Sequence, residues 1–151
     1  MEWFGDPFTS ASLFNFGLGS VSHSQKAHTN ITKCVDTNDF ESLVITGSYD
    51  NTVKLWSLDS TLRFKYTYQK HKRPVHSVSF IDHGKLIASC DQNVHVWDPR
   101  TQQRLLNLSH ENSFKAAQCI DRGTTIGVST VSNRFWFVYT VLVFCFLIEL
   151  V

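Results

Sequence analysis

Apolar and polar positions along this chain fall into short β-type runs that are separated by turns. Residues 43–46 are rich in β-forming types, residues 47–51 favour a turn, and residues 52–56 resume a β-rich run that closes on Trp56. Residues 63–68 alternate strictly, with aromatic side chains on one side and polar side chains on the other. This pattern predicts antiparallel strands joined by tight turns, and therefore an all-β fold.

The strand–turn–strand pattern occurs twice. Each unit has a His early, an Asp in its turn and a Trp late: His28, Asp50 and Trp56, then His71, Asp91 and Trp97. The Asp and the Trp both recur after 41 residues, and the His recurs after 43. Self-similarity at a period of about 40 to 45 residues is typical of the four-stranded blades of a β-propeller.

Both units resemble WD repeats, and the second keeps the signature dipeptide Trp97–Asp98. The resemblance covers about residues 23 to 109. It implies that each blade holds a buried hydrogen-bonded network of a His, a hydroxyl residue, an Asp and a Trp: His28, Thr46, Asp50 and Trp56, then His71, Ser89, Asp91 and Trp97. The second unit departs from the pattern, because its Ser lies two residues before the Asp rather than four.

The repeat predicts how the chain is divided. Residues 1–22 form an N-terminal segment with a strand of a preceding blade, or else an aromatic motif that docks on a partner. Residues 23–68 and 69–109 are two four-stranded antiparallel blades, and residues 110–134 are an incomplete third. Propellers need about 4 to 8 blades to close a ring. We therefore expect a partial WD-repeat β-propeller whose remaining blades belong to a longer protein or to another chain.

A hydrophobic tail follows at residues 135–151, where 14 consecutive residues, 135–148, carry no charge. A membrane-spanning helix needs about 17 to 25 apolar residues, so this run is short. Three alternatives remain: a buried strand pair, a marginal membrane anchor, and a non-native ending. The last is favoured, because the composition changes abruptly inside a blade.

Charge and cysteine content exclude several classes of protein. The chain has 14 basic and 13 acidic residues and a net charge of +1, so nothing indicates a nucleic-acid partner. The four cysteines show no metal-type pairing and predict buried free thiols in a reducing compartment. An acidic residue stands near the start, where a signal peptide would carry basic ones, which predicts a cytoplasmic location.

The chemistry that recurs in the two units is not predicted to be catalytic. His28, Thr46 and Asp50 offer a base, a hydroxyl and a carboxylate, as a hydrolase would need. Their recurrence once per blade instead indicates a structural role. His23, His28 and Cys34 match no standard zinc spacing, so we expect neither a metal nor a cofactor.

These patterns predict a non-catalytic scaffold that binds other proteins. The loop between the units carries Lys70, Lys72 and Arg73, which form either a contact site for an acidic partner or a phospholipid head group, or a solvated surface; the solvated surface is favoured. Residues 71–75 and 87–99 also resemble the C-terminal propellers of BEACH-domain WD-repeat proteins, which implies a role on the cytosolic face of endosomes in trafficking and autophagy. The alternative function is a membrane-anchored adaptor that uses residues 135–148.

Overall fold

The computed structural model describes residues 9–15, 20–38, 40–59, 61–109, 114–120, 125–130, 135–141 and 144–149. Strands account for nearly all of these segments, and one short 3-10 turn, Asp82–Gly84, precedes the eighth strand. The strands are β1 (Ser10–Asn15), β2 (Ser20–Lys26), β3 (Thr32–Asn38), β4 (Leu43–Ser48), β5 (Val53–Leu58), β6 (Leu62–Tyr68), β7 (Ser77–Ile81), β8 (Leu86–Cys90), β9 (Val94–Trp97), β10 (Arg104–Leu108), β11 (Phe114–Ile120), β12 (Thr125–Thr130), β13 (Phe135–Val141) and β14 (Phe144–Glu149).

These strands form antiparallel sheets in simple up-and-down order. β3 to β6 make the first four-stranded sheet, which we call blade one, and β7 to β10 make blade two. β1 and β2 pair with each other in a separate two-stranded sheet before blade one. The prediction of an all-β, partial propeller is confirmed. The predicted boundary between residues 22 and 23 falls inside β2, so the segment before blade one contains two strands rather than one.

The third sheet differs from the expectation of an incomplete blade. β11 to β14 form a complete four-stranded sheet, which we call blade three. The hydrophobic segment supplies its last two strands: β13 pairs with β12, and β14 pairs with β13. Of the three alternatives for this segment, the structure contains the strand pair. Backbone pairing does not require the turn Asp that the sequence lacks here.

Within the part of the chain that the structure describes, no helix has the length and hydropathy needed to cross a lipid bilayer.

Blades one and two share one hydrophobic core. Its buried members come from both sheets: Leu43, Ile45, Val53, Leu55 and Tyr68 from blade one, and Val75, Val78, Phe80, Ile87 and Trp97 from blade two and the loop before it. A polar contact adds to the interface, since the Phe80 backbone N–H donates to Asp36 Oδ2 at 2.8 Å. Cys34 packs against this core, and burial raises the pKa of its thiol to about 12. It is a free thiol, as is buried Cys90.

Gly47 lies where residues of blade two pack closely on the backbone of blade one. A Cβ atom built there would lie 2.6 Å from Cys34 Sγ, 2.8 Å from Val75 Cγ1 and 2.9 Å from Val78 Cγ1. Cβ atoms essentially never lie this close to other heavy atoms, so any side chain at this position of β4 would force the neighbouring side chains to move. Blade two can therefore pack directly on the backbone of blade one.

Candidate functional site

Four side chains of blade one meet in one hydrogen-bonded network. His28 lies in the loop after β2, Thr46 on β4, Asp50 in the turn between β4 and β5, and Trp56 on β5. His28 Nε2 is 2.8 Å from Thr46 Oγ1, and His28 Nδ1 is 3.0 Å from Asp50 Oδ2. Trp56 donates its indole N–H to Thr46 Oγ1 at 3.0 Å. The structure thus brings together all four residues that the sequence grouped in blade one.

The chemistry of the side chains determines which group donates and which accepts in each hydrogen bond of this network. A carboxylate can only accept, so His28 donates its Nδ1–H to Asp50 Oδ2, and the unprotonated Nε2 accepts a hydrogen bond from the Thr46 hydroxyl. Burial lowers the pKa of His28 despite the neighbouring Asp50. The neutral imidazole is the form that satisfies every bond. The chain of hydrogen bonds then runs from the Trp56 indole, which only donates, through Thr46 and His28, which each accept and donate, to the Asp50 carboxylate, which only accepts.

Asp50 also organises the turn in which it lies. Its Oδ1 accepts the backbone N–H of Thr52 at 3.0 Å, and its Oδ2 accepts the backbone N–H of Thr29 at 3.0 Å. Burial alone would raise the pKa of this carboxyl. The hydrogen bonds from Thr52 and Thr29 and the adjacent His28 outweigh burial, so the pKa of Asp50 is lowered. One carboxylate therefore connects the turn after β4 to the loop before β3.

Blade two repeats the arrangement with a shorter turn. His71 Nε2 is 2.7 Å from Ser89 Oγ, and the Trp97 indole N–H donates to the same oxygen at 3.1 Å. Asp91 Oδ2 accepts the backbone N–H groups of Lys72 and Arg73, at 3.2 and 3.3 Å. Ser89 therefore occupies the place that Thr46 has in blade one, although its spacing from the Asp differs.

Strand register explains why the shorter spacing still works. Trp56 pairs with Val44, and Thr46 lies two residues beyond Val44 on the same side of β4. Trp97 pairs with Ile87, and Ser89 likewise lies two residues beyond it. Strand pairing across the hairpin thus sets the relative positions of the hydroxyl and the indole. The turn of blade two is shorter by two residues, which accounts for the difference in spacing.

Blade three shows the same register for a residue that the sequence analysis did not single out. Trp136 on β13 pairs with Val128 on β12, as Trp56 pairs with Val44 in blade one. Trp136 follows Trp97 by 39 residues, close to the repeat period. That spacing was the signal that could have placed this Trp, but the uncharged residues around it concealed the repeat.

A second polar cluster lies between blades one and two, and the sequence did not predict it. The His71 and His95 rings stack at a centroid distance of 4.1 Å with 9° between their planes. Tyr68, the last residue of β6, is fully buried, and its hydroxyl lies 3.2 Å from His95 Nδ1. The Tyr68 ring also stacks on Trp97 at 4.5 Å. These contacts join the outer strand of blade one to the network of blade two.

Burial dominates the electrostatics of this second cluster. It lowers the pKa of His95 to about 4, and the nearby charges of His71 and Arg104 act in the same direction. Burial would raise the pKa of Asp91, but the adjacent His71 imidazole and the Asn93 backbone N–H hold it well below its usual range. His71 Nδ1 lies 3.4 Å from Asp91 Oδ2, an ion-pair distance, and makes no hydrogen bond within the described residues.

The chemistry that these residues can perform is limited by their packing. His71, Asp91 and His95 place ligand atoms within 4.8 Å of one another. Imidazole binds a metal along a lone pair in the ring plane, and two parallel stacked rings do not direct those lone pairs to a common point. Thr46 is only 1% exposed, and its oxygen already bonds both the imidazole and the indole. The arrangement satisfies buried polar groups rather than presenting a nucleophile.

The three basic residues of the loop between the blades have exposed side chains: Lys70, Lys72 and Arg73. Asp91 anchors the backbone of this loop, because its carboxylate accepts hydrogen bonds from two of the loop's N–H groups. The charged side chains therefore project from a loop whose main chain is fixed.

Comparison with known proteins identifies the family. A family model described as IP5P C-F beta-propeller matches residues 19–133, a range that includes β2 to β12. The chain belongs to the WD-repeat β-propeller family. The match includes both networks and the two blades that hold them. The resemblance drawn from the repeated His, Asp and Trp residues is confirmed.

Three relatives show how the similarity is distributed. WD repeat-containing protein 81 of Rattus norvegicus is 35% identical over 92 residues, which cover 57% of this chain and 5% of that protein. Suppressor of organelle fusion 2 of Caenorhabditis elegans is 45% identical over 62 residues, or 39% of this chain and 4% of that protein. Mitotic checkpoint protein BUB3.1 of Arabidopsis thaliana is 29% identical over 131 residues, which cover 81% of this chain and 37% of that protein. The chain spans a small part of the length of these relatives.

Its family is generally non-enzymatic, and a WD-repeat propeller is a scaffold for protein interactions.

Proposed function

We propose that this scaffold binds an acidic segment of a partner protein through the loop that carries Lys70, Lys72 and Arg73. The observation that supports the proposal is the anchoring of the loop on Asp91, which fixes the backbone while the three side chains stay exposed. A fixed loop loses little conformational entropy when it binds. Among the described residues, no carboxylate forms an ion pair with these side chains, so their charges are available to a partner.

The buried networks have a structural role in this proposal. The residues His28, Thr46, Asp50 and Trp56 hold blade one together, and His71, Ser89, Asp91 and Trp97 do the same in blade two. Each network ties the loop before a blade to the turn between its middle strands. The binding loop is thus positioned by the network of blade two, and loss of Asp91 is expected to release it.

The proposed place of action is the cytosolic face of endosomes, in trafficking or autophagy. Support comes from the similarity to WD repeat-containing protein 81 and from that to a relative whose name refers to organelle fusion. A tagged copy of the chain is expected to colocalise with an endosomal marker in cells. A uniform distribution that is unaffected by expression level would contradict this placement.

Charge reversal tests the binding loop. The triple variant Lys70→Glu, Lys72→Glu and Arg73→Glu is expected to lose salt-sensitive binding to a fluorescent poly-glutamate peptide. A matched control reverses three other exposed cations, Lys33, Arg63 and Lys65, which lie on strands β3 and β6. Equal loss of binding in both triple variants would show that only net charge matters, and the proposed site would be wrong.

A further inference from the structure

β14 is the outermost strand of blade three. It pairs with β13 at the end of its sheet, as β6 and β10 pair with β5 and β9 at the ends of theirs. Radial stacking of blades leaves the second edge of the fourth strand at the circumference of a propeller. Such an edge presents backbone N–H and C=O groups that can pair with another strand.

The three outer strands differ in polarity. β6 carries Arg63 and Lys65 in its interior, and β10 carries Arg104 and Asn107. Charged side chains keep an edge strand solvated, and Asn has a low preference for strands, so both features discourage pairing with another chain. Residues 144–148 of β14 contain no charge, amide or hydroxyl side chain, and a charge follows only at the last residue of the strand.

The sequence of β14 is typical of strands that pair with copies of themselves. Segments of about six or seven residues with high β propensity, low net charge and no Pro are prone to this pairing. Phe144–Glu149 meets each condition. Antiparallel self-pairing keeps the two Glu149 carboxylates at opposite ends of the paired strands, whereas parallel pairing would set these like charges side by side. A second β14 in antiparallel orientation therefore matches this edge in both polarity and charge.

Backbone geometry limits the register of such a pair. In an antiparallel ladder, residues that face each other are either both hydrogen-bonded or both not, and the two states alternate along each strand. Because both copies have the same sequence and pairing, an even-numbered residue must face an even-numbered residue, and the twofold axis passes through one residue. An axis at Phe146 pairs all of residues 144–148 with one another and leaves Glu149 beyond them. An axis at Leu147 would instead bring Glu149 opposite Cys145.

We propose that two copies of this chain form a twofold dimer by antiparallel pairing of their β14 strands, centred on Phe146. The sheets β11–β14 of the two copies then join into one continuous sheet. Each chain has one β14, so the assembly closes at two copies. The pairing satisfies the outer backbone groups of β14. It uses other residues than the basic loop, so each proposal can fail without the other.

Sedimentation equilibrium of the complete chain tests the dimer directly. We expect a reversible equilibrium between one and two copies. Protection of the β14 amides from hydrogen exchange should increase with the concentration of the chain, because the dimer pairs the outer edge of this strand. A chain that stays monomeric throughout the concentration range would overturn the proposal, as would growth into assemblies larger than a dimer.

Two charged variants at the axis test the register. Phe146→Lys sets two lysines opposite each other in the dimer, and Phe146→Glu sets two glutamates opposite each other. Since like charges that face each other across a ladder repel, each variant alone is expected to dimerise at least about tenfold more weakly than the parent chain. An equimolar mixture of the two should associate again, because the new lysine then faces the new glutamate. A mixture that associates no better than either variant would overturn the register.

A charge on another outer strand provides the control. Leu105 on β10 is 58% exposed, so Leu105→Lys adds the same charge outside β14 and is expected to leave dimerisation unchanged. Equal weakening by Leu105→Lys and Phe146→Lys would overturn the proposal, as would a dimer that persists in both. If the substitutions at Phe146 prevent folding, the sedimentation and exchange measurements on the parent chain still decide whether the dimer forms.

Discussion

Trp97 donates its indole N–H to Ser89 Oγ at 3.1 Å although only eight residues separate the two, whereas ten residues separate Trp56 from Thr46, which make the same bond at 3.0 Å. The distance is kept because the two partners lie on paired strands and the difference in length is confined to the turn. A spacing rule along the chain therefore misses what strand register preserves. The energetic value of the two networks can be tested residue by residue.

Removal of one hydroxyl at constant shape tests the network of blade one. Thr46→Val keeps the branched side chain but leaves the Trp56 indole N–H and His28 Nε2 without their shared partner. An unpaired buried polar group costs about 1 to 3 kcal/mol, so the free energy of unfolding should fall by at least this amount. Urea denaturation followed by tryptophan fluorescence measures the change. Thr46→Ser restores the hydroxyl and is expected to recover most of the loss attributable to it.

Asp50→Ala is expected to have a larger effect than Thr46→Val. The carboxylate accepts backbone N–H groups from two separate segments, at Thr29 and Thr52, in addition to His28. Its removal leaves two backbone N–H groups and His28 Nδ1 without this acceptor, and blade one should unfold. Near-UV circular dichroism and limited proteolysis report this directly. A variant with unchanged spectrum and protease resistance would refute the assigned role, and Asp59→Ala, at an exposed carboxylate after β5, is the control.

Stability should decrease in mild acid because of His95. Burial lowers its pKa to about 4, below the value of about 6.5 expected in the unfolded chain. The unfolded state therefore binds more protons between these values, and the free energy of unfolding falls as the pH is lowered from about 6.5 to 4. The lowered pKa of His28 acts in the same direction, while Asp91 loses its stabilising charge only at lower pH.

Urea denaturation at several pH values between 7.5 and 4.5 measures this dependence. His95→Gln retains a polar side chain that can bond the Tyr68 hydroxyl but does not titrate. The slope of stability against pH should become shallower in this variant. An unchanged slope would show that the stack of His71 and His95 does not control the acid sensitivity.

Gly47→Ala should weaken the interface between blades one and two. The added methyl group would lie within 3 Å of Cys34, Val75 and Val78, which are packed in the shared core. Overpacking of this kind costs about 1 to 3 kcal/mol. The Val78→Ala change should relieve part of the clash, so a double-mutant cycle measured by thermal unfolding is expected to give a favourable coupling between the two sites. Additive effects would contradict the packing.

The candidate site could be predicted in part from the sequence. The repeat showed that a His, an Asp and a Trp return at nearly constant spacing, and the resemblance to WD repeats implied that these residues and a hydroxyl residue form a network in each blade. The cluster of Tyr68 and His95 could not be predicted in this way. The two residues lie on different blades, 27 positions apart, and meet only because β6 of blade one packs against β9 of blade two.

The sequence by itself determined the all-β class and the blade period, since strand alternation, turn residues and repeat spacing are local properties; the members of each network were implied by the resemblance to WD repeats. Tertiary structure decided what local pattern could not. Phe135–Val141 and Phe144–Glu149 form the last two strands of blade three, because pairing of β13 with β12 and of β14 with β13 satisfies their backbone groups. Likewise, Val35 and Val78 hold matching positions in their blades, yet one is exposed and the other buried, since burial depends on whether a neighbouring hairpin is present.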